Sequence, residues 1–305
     1  MDFRSNFVFL VVIILLFLFV SKFNNYNIMS KKIDSCDCDK MEHCFFSNII
    51  SLDKLIKPKI FVHLSEYTHI SSLCQLCIES LMKYCYANYD IILYTNEDIS
   101  EMINDEDDDL CNIENIKLLG GQDLKQWEEY CKFKILHKYG GVVMKPYFLF
   151  SSSPTYKDFV PEKLKICRIN NEGVNVSNQL VIPSSCYMIA APKNDQTTKI
   201  YLEYLSKICQ HNYTSAAKYF DKTFEKLHRL DFFSEELIGV VDSNNKQVHL
   251  DTIFTSQQIN LTTNNYCLFI NVDLLNKKRH YGWILNMSRK QILETNTVLS
   301  NYAKI

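Results

Sequence analysis

The 305-residue chain has no excess of charge of either sign: 33 Lys and Arg stand against 35 Asp and Glu, for a formal net charge of -2. That balance gives no broad basic surface for nucleic acid and no strongly acidic surface for a cationic partner, so a phosphate-bearing ligand has to be held by a local site. Internal repeats and low-complexity blocks are also missing. So are the G-x-S-x-G nucleophile elbow and the H-E-x-x-H zinc helix, which argues against an α/β hydrolase and a zinc protease. No set of His and Cys completes a four-ligand zinc spacing. What the chain does have is apolar content, 47% of its residues, enough to fill one main domain with a small N-terminal appendage.

Twelve cysteines are many for a cytosolic enzyme, yet their spacing is too irregular for a small disulfide scaffold. Cys36, Cys38 and Cys44 cluster in a polar stretch, which suggests disulfides in an oxidising compartment, with free thiols as the alternative. Cys74 and Cys77 form a CxxC, but Ile70, Leu73, Leu76, Cys77 and Leu81 recur at helical spacing, so a buried helix face is the better reading of that pair.

Residues 7–20 are an unbroken apolar run, and with Phe3, Ser21 and Phe23 they reach the length of a short spanning helix. Small residues at a cleavage site are lacking, since cutting after Ser21 would place Phe19 where a small side chain is needed, so an uncleaved signal-anchor within residues 1–23 is expected. Residues 24–57 read as a polar stem and residues 58–305 as the globular domain. Flanking charge does not favour a lumenal domain, because Arg4 precedes the run while Lys22, Lys31 and Lys32 follow it. N-glycosylation sequons at Asn175, Asn212, Asn260 and Asn286 permit that placement.

Within the domain, residues 59–64 (KIFVHL) predict a strand, 71–85 a helix and 90–94 (DIILY) a second strand, one β-α-β unit of an α/β fold. The acidic run 104–109 (NDEDDD) reads as a solvated loop. Residues 123–139 predict the best helix of the chain, with Trp127, Cys131, Ile135 and Leu136 on its apolar stripe and Gly140 as a left-handed cap. Residues 142–150 (VVMKPYFLF) follow as a strand in which Pro146 demands an edge position or a bulge. Further on, a strand at 186–191, helices at 197–209 and 216–230, short strands near Val248 and Phe269 and a C-terminal helix from Arg289 complete the pattern.

The order of helix, Tyr139-Gly140-Gly141 and strand resembles the capsular-polysaccharide-synthesis type glycosyltransferases and the related DXD sugar transferases. Their signature is Ser-Asp-x-x-Arg on a helix, then Leu-x-x-Tyr-Gly-Gly, a short strand and Asp-x-Asp. Here Glu128-Glu129-x-x-Lys132 stands in the first place and Leu136-His137-Lys138-Tyr139-Gly140-Gly141 in the second. Upstream, Cys77-Ile78-Glu79-Ser80 and the Tyr89-containing strand region fit as well. The likeness covers residues 59–150 with some specificity and thins beyond Ala191.

The resemblance implies a GT-A fold, a nucleotide-diphospho-sugar transferase fold, behind the N-terminal transmembrane helix. It also implies transfer of a hexose from a nucleotide sugar to a glycan acceptor, in a type II membrane protein facing the lumen of the endoplasmic reticulum or Golgi. The family's DXD carboxylates hold a divalent cation, usually manganese, against the leaving diphosphate. Lys145 and Tyr147 occupy those two places, and neither an ammonium nor a phenol suits a hard divalent ion, so no metal or other cofactor is expected.

Two readings follow. In one, Lys145 is the catalytic cation on the pyrophosphate, with Glu129, Lys132, Gly140, Gly141 and Tyr147 binding the nucleotide sugar. In the other, the protein is a catalytically inactive, membrane-anchored glycan-binding or interaction protein on the same fold. Beside these, Glu129 and Lys132 could form an ordinary surface ion pair, the two glycines are explained by a helix cap and a tight turn, and Trp127, Tyr147 and Phe148 read as core or cleft wall. His280 reads as a surface histidine.

Overall fold

A computed structural model describes residues 41–49, 51–65, 70–103, 121–167, 187–211, 231–277 and 280–304. The chain divides into Met1–His43 and Cys44–Ile305, and the architecture below is that of the second unit. It is mixed α/β. β1 (Lys59–His63), α1 (Ser72–Cys85), β2 (Asp90–Tyr94), α2 (Ile99–Ile103), α3 (Gly121–Tyr139), β3 (Gly141–Met144) and β4 (Phe148–Phe150) come first. They are followed by α4 (Tyr156–Phe159), β5 (Lys165–Ile166), β6 (Met188–Ala191), α5 (Gln196–Cys209), β7 (Asp231–Phe232) and α6 (Leu250–Ile253). β8 (Cys267–Phe269), α7 (Val272–Lys277), α8 (Arg289–Glu294) and α9 (Val298–Ala303) complete the order.

Six strands form one mixed sheet in the order β2-β1-β3-β6-β5-β7, and β4 pairs with β8 in a second, two-stranded sheet. β1 runs parallel to β2 and β3, while β6 is antiparallel to β3. The expected β-α-β unit is therefore present. Phe61, Ile92 and Val143 lie on one face of the sheet and pack against Trp127, Phe133, Ile135 and Leu136 of α3 and Ile200, Tyr201 and Leu205 of α5. Their neighbours Ile60, Ile91 and Val142 project to the other face by the twofold alternation of a strand, and they are buried too. Burial on both faces explains why these strands read as continuous apolar runs.

Helix α1 starts where the Ser71 side chain accepts a hydrogen bond from the Cys74 backbone, and it buries Leu73, Cys74, Leu76, Cys77, Ile78, Leu81 and Cys85. The CxxC is thus part of a buried helix face. Cys74, Cys77, Cys85, Cys167 and Cys267 are free, and burial raises their thiols above the ordinary value. Cys44 is buried, with its thiol pushed up to about 11 by burial and then by Asp90. Cys36 and Cys38 lie outside the described residues.

Several expectations need correction. The unit begins at Cys44 rather than at residue 58. Phe45 forms a parallel bridge with Leu93, and Phe46 and Leu52 enter the core beside Phe61 and Ile92. That segment covers the open edge of β2, as edge strands require, and it uses 3-10 turns (Phe46–Asn48 and Leu52–Lys54) that leave no period in the sequence. Residues 142–150 are two strands in two sheets, because Pro146 has no N–H to donate. Lys145 still donates its N–H to Tyr187 O at 2.9 Å, and Tyr147 N–H then turns back to Lys145 O at 2.8 Å. Near Val248 there is only an isolated bridge, Val241 to Gln247. The C-terminal helix is split into α8 and α9 around Asn296, whose φ is 51°, and each half has its own capping box. The acidic run 104–109 and the helix expected at 216–230 lie outside the described residues.

Among the described residues, no helix is long and apolar enough to cross a membrane, and residues 7–20 are not among them. Asn260 and Asn286 are exposed. Asn175 and Asn212 lie outside the described residues.

Candidate functional site

In an α/β sheet, ligands sit beyond the carboxyl ends of the parallel strands, at the point where successive connections leave in opposite directions. In this chain that point lies between β1 and β3, since β2 is placed on one side of β1 and β3 on the other. The residues that end these strands are His63, Tyr94 and, just past β3, Lys145. Each is two positions beyond a core residue on the α3-facing side: Phe61, Ile92 and Val143. The strand alternation therefore aims all three to the same side of the sheet.

His63 is buried, at 5% exposure. Its ring stacks on Tyr94 with centroids 5.1 Å apart, and its Nε2 donates to Asn96 Oδ1 at 2.6 Å. Asn96 Nδ2 in turn donates to Glu128 Oε1 at 3.3 Å. The side-chain chain thus runs from the end of β1, through the loop after β2, to the first half of α3. Burial lowers the His63 pKa from an ordinary 6.5 to about 4. Lys132 and Lys145 push it the same way, and Glu128 and Asn96 oppose the shift.

One turn along α3, Lys132 Nζ meets Glu129 Oε1 at 2.6 Å, with the side chains 2% and 7% exposed. This is not the ordinary surface pair that the i, i+3 spacing allows. It is a buried ion pair, and the second carboxylate oxygen, Glu129 Oε2, is buried with no hydrogen-bond partner. Buried polar atoms are rarely left so.

Lys145 stands at the turn between the two sheets. Its Nζ lies 3.6 Å from Asp273 Oδ2, 5.6 Å from the centroid of the Tyr147 ring and 5.9 Å from that of Tyr187. Tyr147 donates its hydroxyl to Asp273 Oδ1 at 2.7 Å. Burial first, and then the Asp273 charge, push the Tyr147 phenol far above the ordinary range, so it is a neutral donor. An ammonium and a neutral phenol already bonded to a carboxylate do not fit a divalent cation. Among the described residues, no three His, Cys, Asp or Glu converge as a metal site.

Of the residues singled out in the sequence, Glu129, Lys132, Lys145 and Tyr147 therefore lie in the strand-end region. Gly140 and Gly141 do not. They stand at the opposite end of β3, Gly141 about 13 Å and Gly140 about 17 Å from Lys145 at 3.3 Å per residue, and their part is structural. A Cβ on Gly141 would lie 2.3 Å from Lys59 O, and one on Gly140 2.6 Å from Lys193 N. Trp127 and Phe148 are core, and His280 is exposed. No protein-family model matches the chain, and no curated protein matches it.

Sequence reasoning missed His63, Asn96 and Asp273. His63 was visible only as the last polar residue of an apolar strand, and Asp273 is 126 residues from the tyrosine that it holds.

The neutral state of His63 has a thermodynamic consequence. Between the folded pKa of about 4 and the ordinary 6.5, the unfolded chain binds the extra proton, so stability is complete above about pH 6.5 and falls as the pH drops toward 4. The loss from this group is up to about 3 kcal/mol. Denaturation midpoints measured at pH 7 and pH 4.5 are expected to fall with acid in the parent, and to fall less in His63→Gln.

Proposed function

We propose that the chain is a glycosyltransferase that moves a hexose from a nucleoside-diphosphate sugar to a glycan acceptor without a metal ion. The observation that carries this reading is the partly exposed Lys145 ammonium at the carboxyl end of the parallel strands, where Lys132, Lys145 and Glu128 all act on the buried His63, with the Glu129–Lys132 pair buried behind them. Lys145 stands where the resembling transferases carry a metal-binding aspartate. As the bond from the anomeric carbon to the phosphate oxygen breaks and the acceptor's hydroxyl oxygen bonds to that carbon, giving up its proton to solvent, the electron pair stays with the diphosphate, and a fixed ammonium stabilises that charge. The six-stranded mixed sheet supports a GT-A-like, nucleotide-binding α/β sandwich. Membrane attachment through residues 7–20, with the domain on the lumenal side of the endoplasmic reticulum or Golgi, belongs to the same proposal and draws support from the exposed Asn260 and Asn286.

A second reading, a non-catalytic glycan-binding or interaction protein on this fold, is favoured by one observation. Both lysines already have carboxylate partners, and Tyr147 is buried beside one of them. Calorimetric titration separates the two. Lys145→Ala is expected to weaken UDP or GDP binding about 10- to 100-fold, the worth of one charge-assisted contact. Unaltered nucleotide affinity in that variant would remove Lys145 from the site.

A further inference from the structure

The closest anion to Lys145 comes from far along the chain. Asp273, in the first turn of α7, faces Lys145 Nζ at 3.6 Å with its carboxylate side chain 36% exposed, while Lys145 is 18% exposed. That separation is longer than a hydrogen bond, so the contact is mainly electrostatic. The carboxylate is held by something else: Tyr147 donates to its other oxygen at 2.7 Å. Tyr147 is fixed in turn, because its ring packs on Tyr187 with centroids 5.6 Å apart and its carbonyl accepts the Ile270 N–H at 2.8 Å. The segment before α7 is tied down as well: Asn271 Oδ1 accepts from Leu274 N–H at 3.0 Å and from the Tyr187 hydroxyl at 3.4 Å. Lys145 thus sees a pre-positioned carboxylate with one oxygen turned toward it and water within reach of both.

We infer that Asp273 is an internal stand-in for the ligand's phosphate: it holds the Lys145 ammonium in place while the site is empty, and an incoming diphosphate displaces it from that ammonium. This rests on reading the strand-end cluster as a diphosphate site, and it adds what sets the affinity there. A carboxylate beside the binding cation competes with any anionic ligand, first by occupying Lys145 and then by repelling the phosphate. Removing the charge while keeping the Tyr147 hydrogen bond tightens diphosphate binding. An Asp273 that merely supports the fold gives the opposite sign, since its loss loosens the site.

Asn is close to isosteric with Asp, and its Oδ1 still accepts from Tyr147, so Asp273→Asn removes the charge and little else. Asp273→Ser is a second neutral variant in case the amide turns the wrong way, and Asp273→Glu keeps the charge. The full chain in detergent, with chelator present, is titrated calorimetrically with inorganic pyrophosphate and with UDP. The neutral variants are expected to bind both about two- to fivefold more tightly than the parent, the scale of one partly exposed charge pair, and Asp273→Glu is expected to stay near the parent value. Parent binding with unchanged or weaker affinity in both neutral variants overturns this inference and leaves the diphosphate site standing. Absence of binding to UDP and pyrophosphate in the parent and all three variants overturns this inference, and absence of binding to GDP as well overturns the diphosphate site.

Discussion

Replacing Lys132 with methionine is expected to cost about 3–5 kcal/mol of folding stability, the usual penalty for stranding one member of a buried ion pair. The Lys132 side chain is 2% exposed and that of its partner Glu129 7%, so solvent cannot reach in to screen the orphaned carboxylate. One oxygen of that carboxylate already lacks a hydrogen-bond partner, and the variant removes the charge that compensates the other. The double variant Glu129→Leu with Lys132→Met is expected to regain most of the loss, because exchanging the whole pair for apolar side chains removes the desolvation cost along with the attraction. Urea denaturation of the full chain followed by tryptophan fluorescence measures both. A single variant within about 1 kcal/mol of the parent would show that the pair is wet and contributes little.

Gly141→Ala is expected to be about as damaging, at roughly 3–5 kcal/mol, from two separate causes. Its φ of 100° is in a region that side-chain-bearing residues occupy at a cost of order 1–3 kcal/mol. The new Cβ would also lie 2.3 Å from the Lys59 carbonyl oxygen, and that oxygen belongs to the backbone of β1, which cannot step aside without disturbing the β1–β3 ladder. With domain stabilities of about 5–15 kcal/mol, the variant should be marginal, with a thermal midpoint depressed by several degrees or more. A melting temperature equal to the parent's would mean that the strand end is looser than its geometry.

These two positions also show how much was legible in the chain alone. Strands 59–64 and 90–94, the helix between them and the helix over 123–139 were readable because each carries a period, or an unbroken apolar run, that matches its burial. Tyr-Gly-Gly was readable as a helix end, but its role was not. Glycines near a ligand and glycines beneath a carbonyl look the same in sequence, and only the register of β3 against β1 places these at the far end from Lys145. The strands at Lys165–Ile166 and Asp231–Phe232 are two residues each, too short to show alternation. Residues 44–55 looked like a polar stem because their buried side chains, among them Phe46 and Leu52, follow no regular spacing.

The site was legible in the same partial way. Glu129 and Lys132 announced themselves by helical spacing, and Lys145 and Tyr147 by their place shortly after the Tyr-Gly-Gly turn. Their state did not: an i, i+3 pair is a surface pair or a buried one depending on the strands beneath it. His63 and Asp273 carry no local signal at all. The first is chosen by the length of β1, which ends with its ring over Tyr94, and the second by the return of the chain through β8 into α7. Long-range placement of single polar residues is a property of the assembled sheet and leaves no periodic trace.

The central claim, that the strand-end cluster is a metal-independent site for a nucleoside diphosphate, is tested most directly by titrating the full chain with UDP and GDP in chelator and again with manganese. One of the two nucleotides is expected to bind with the same affinity in both conditions. A folded chain that binds neither nucleotide, or binds only when manganese is present, would contradict it.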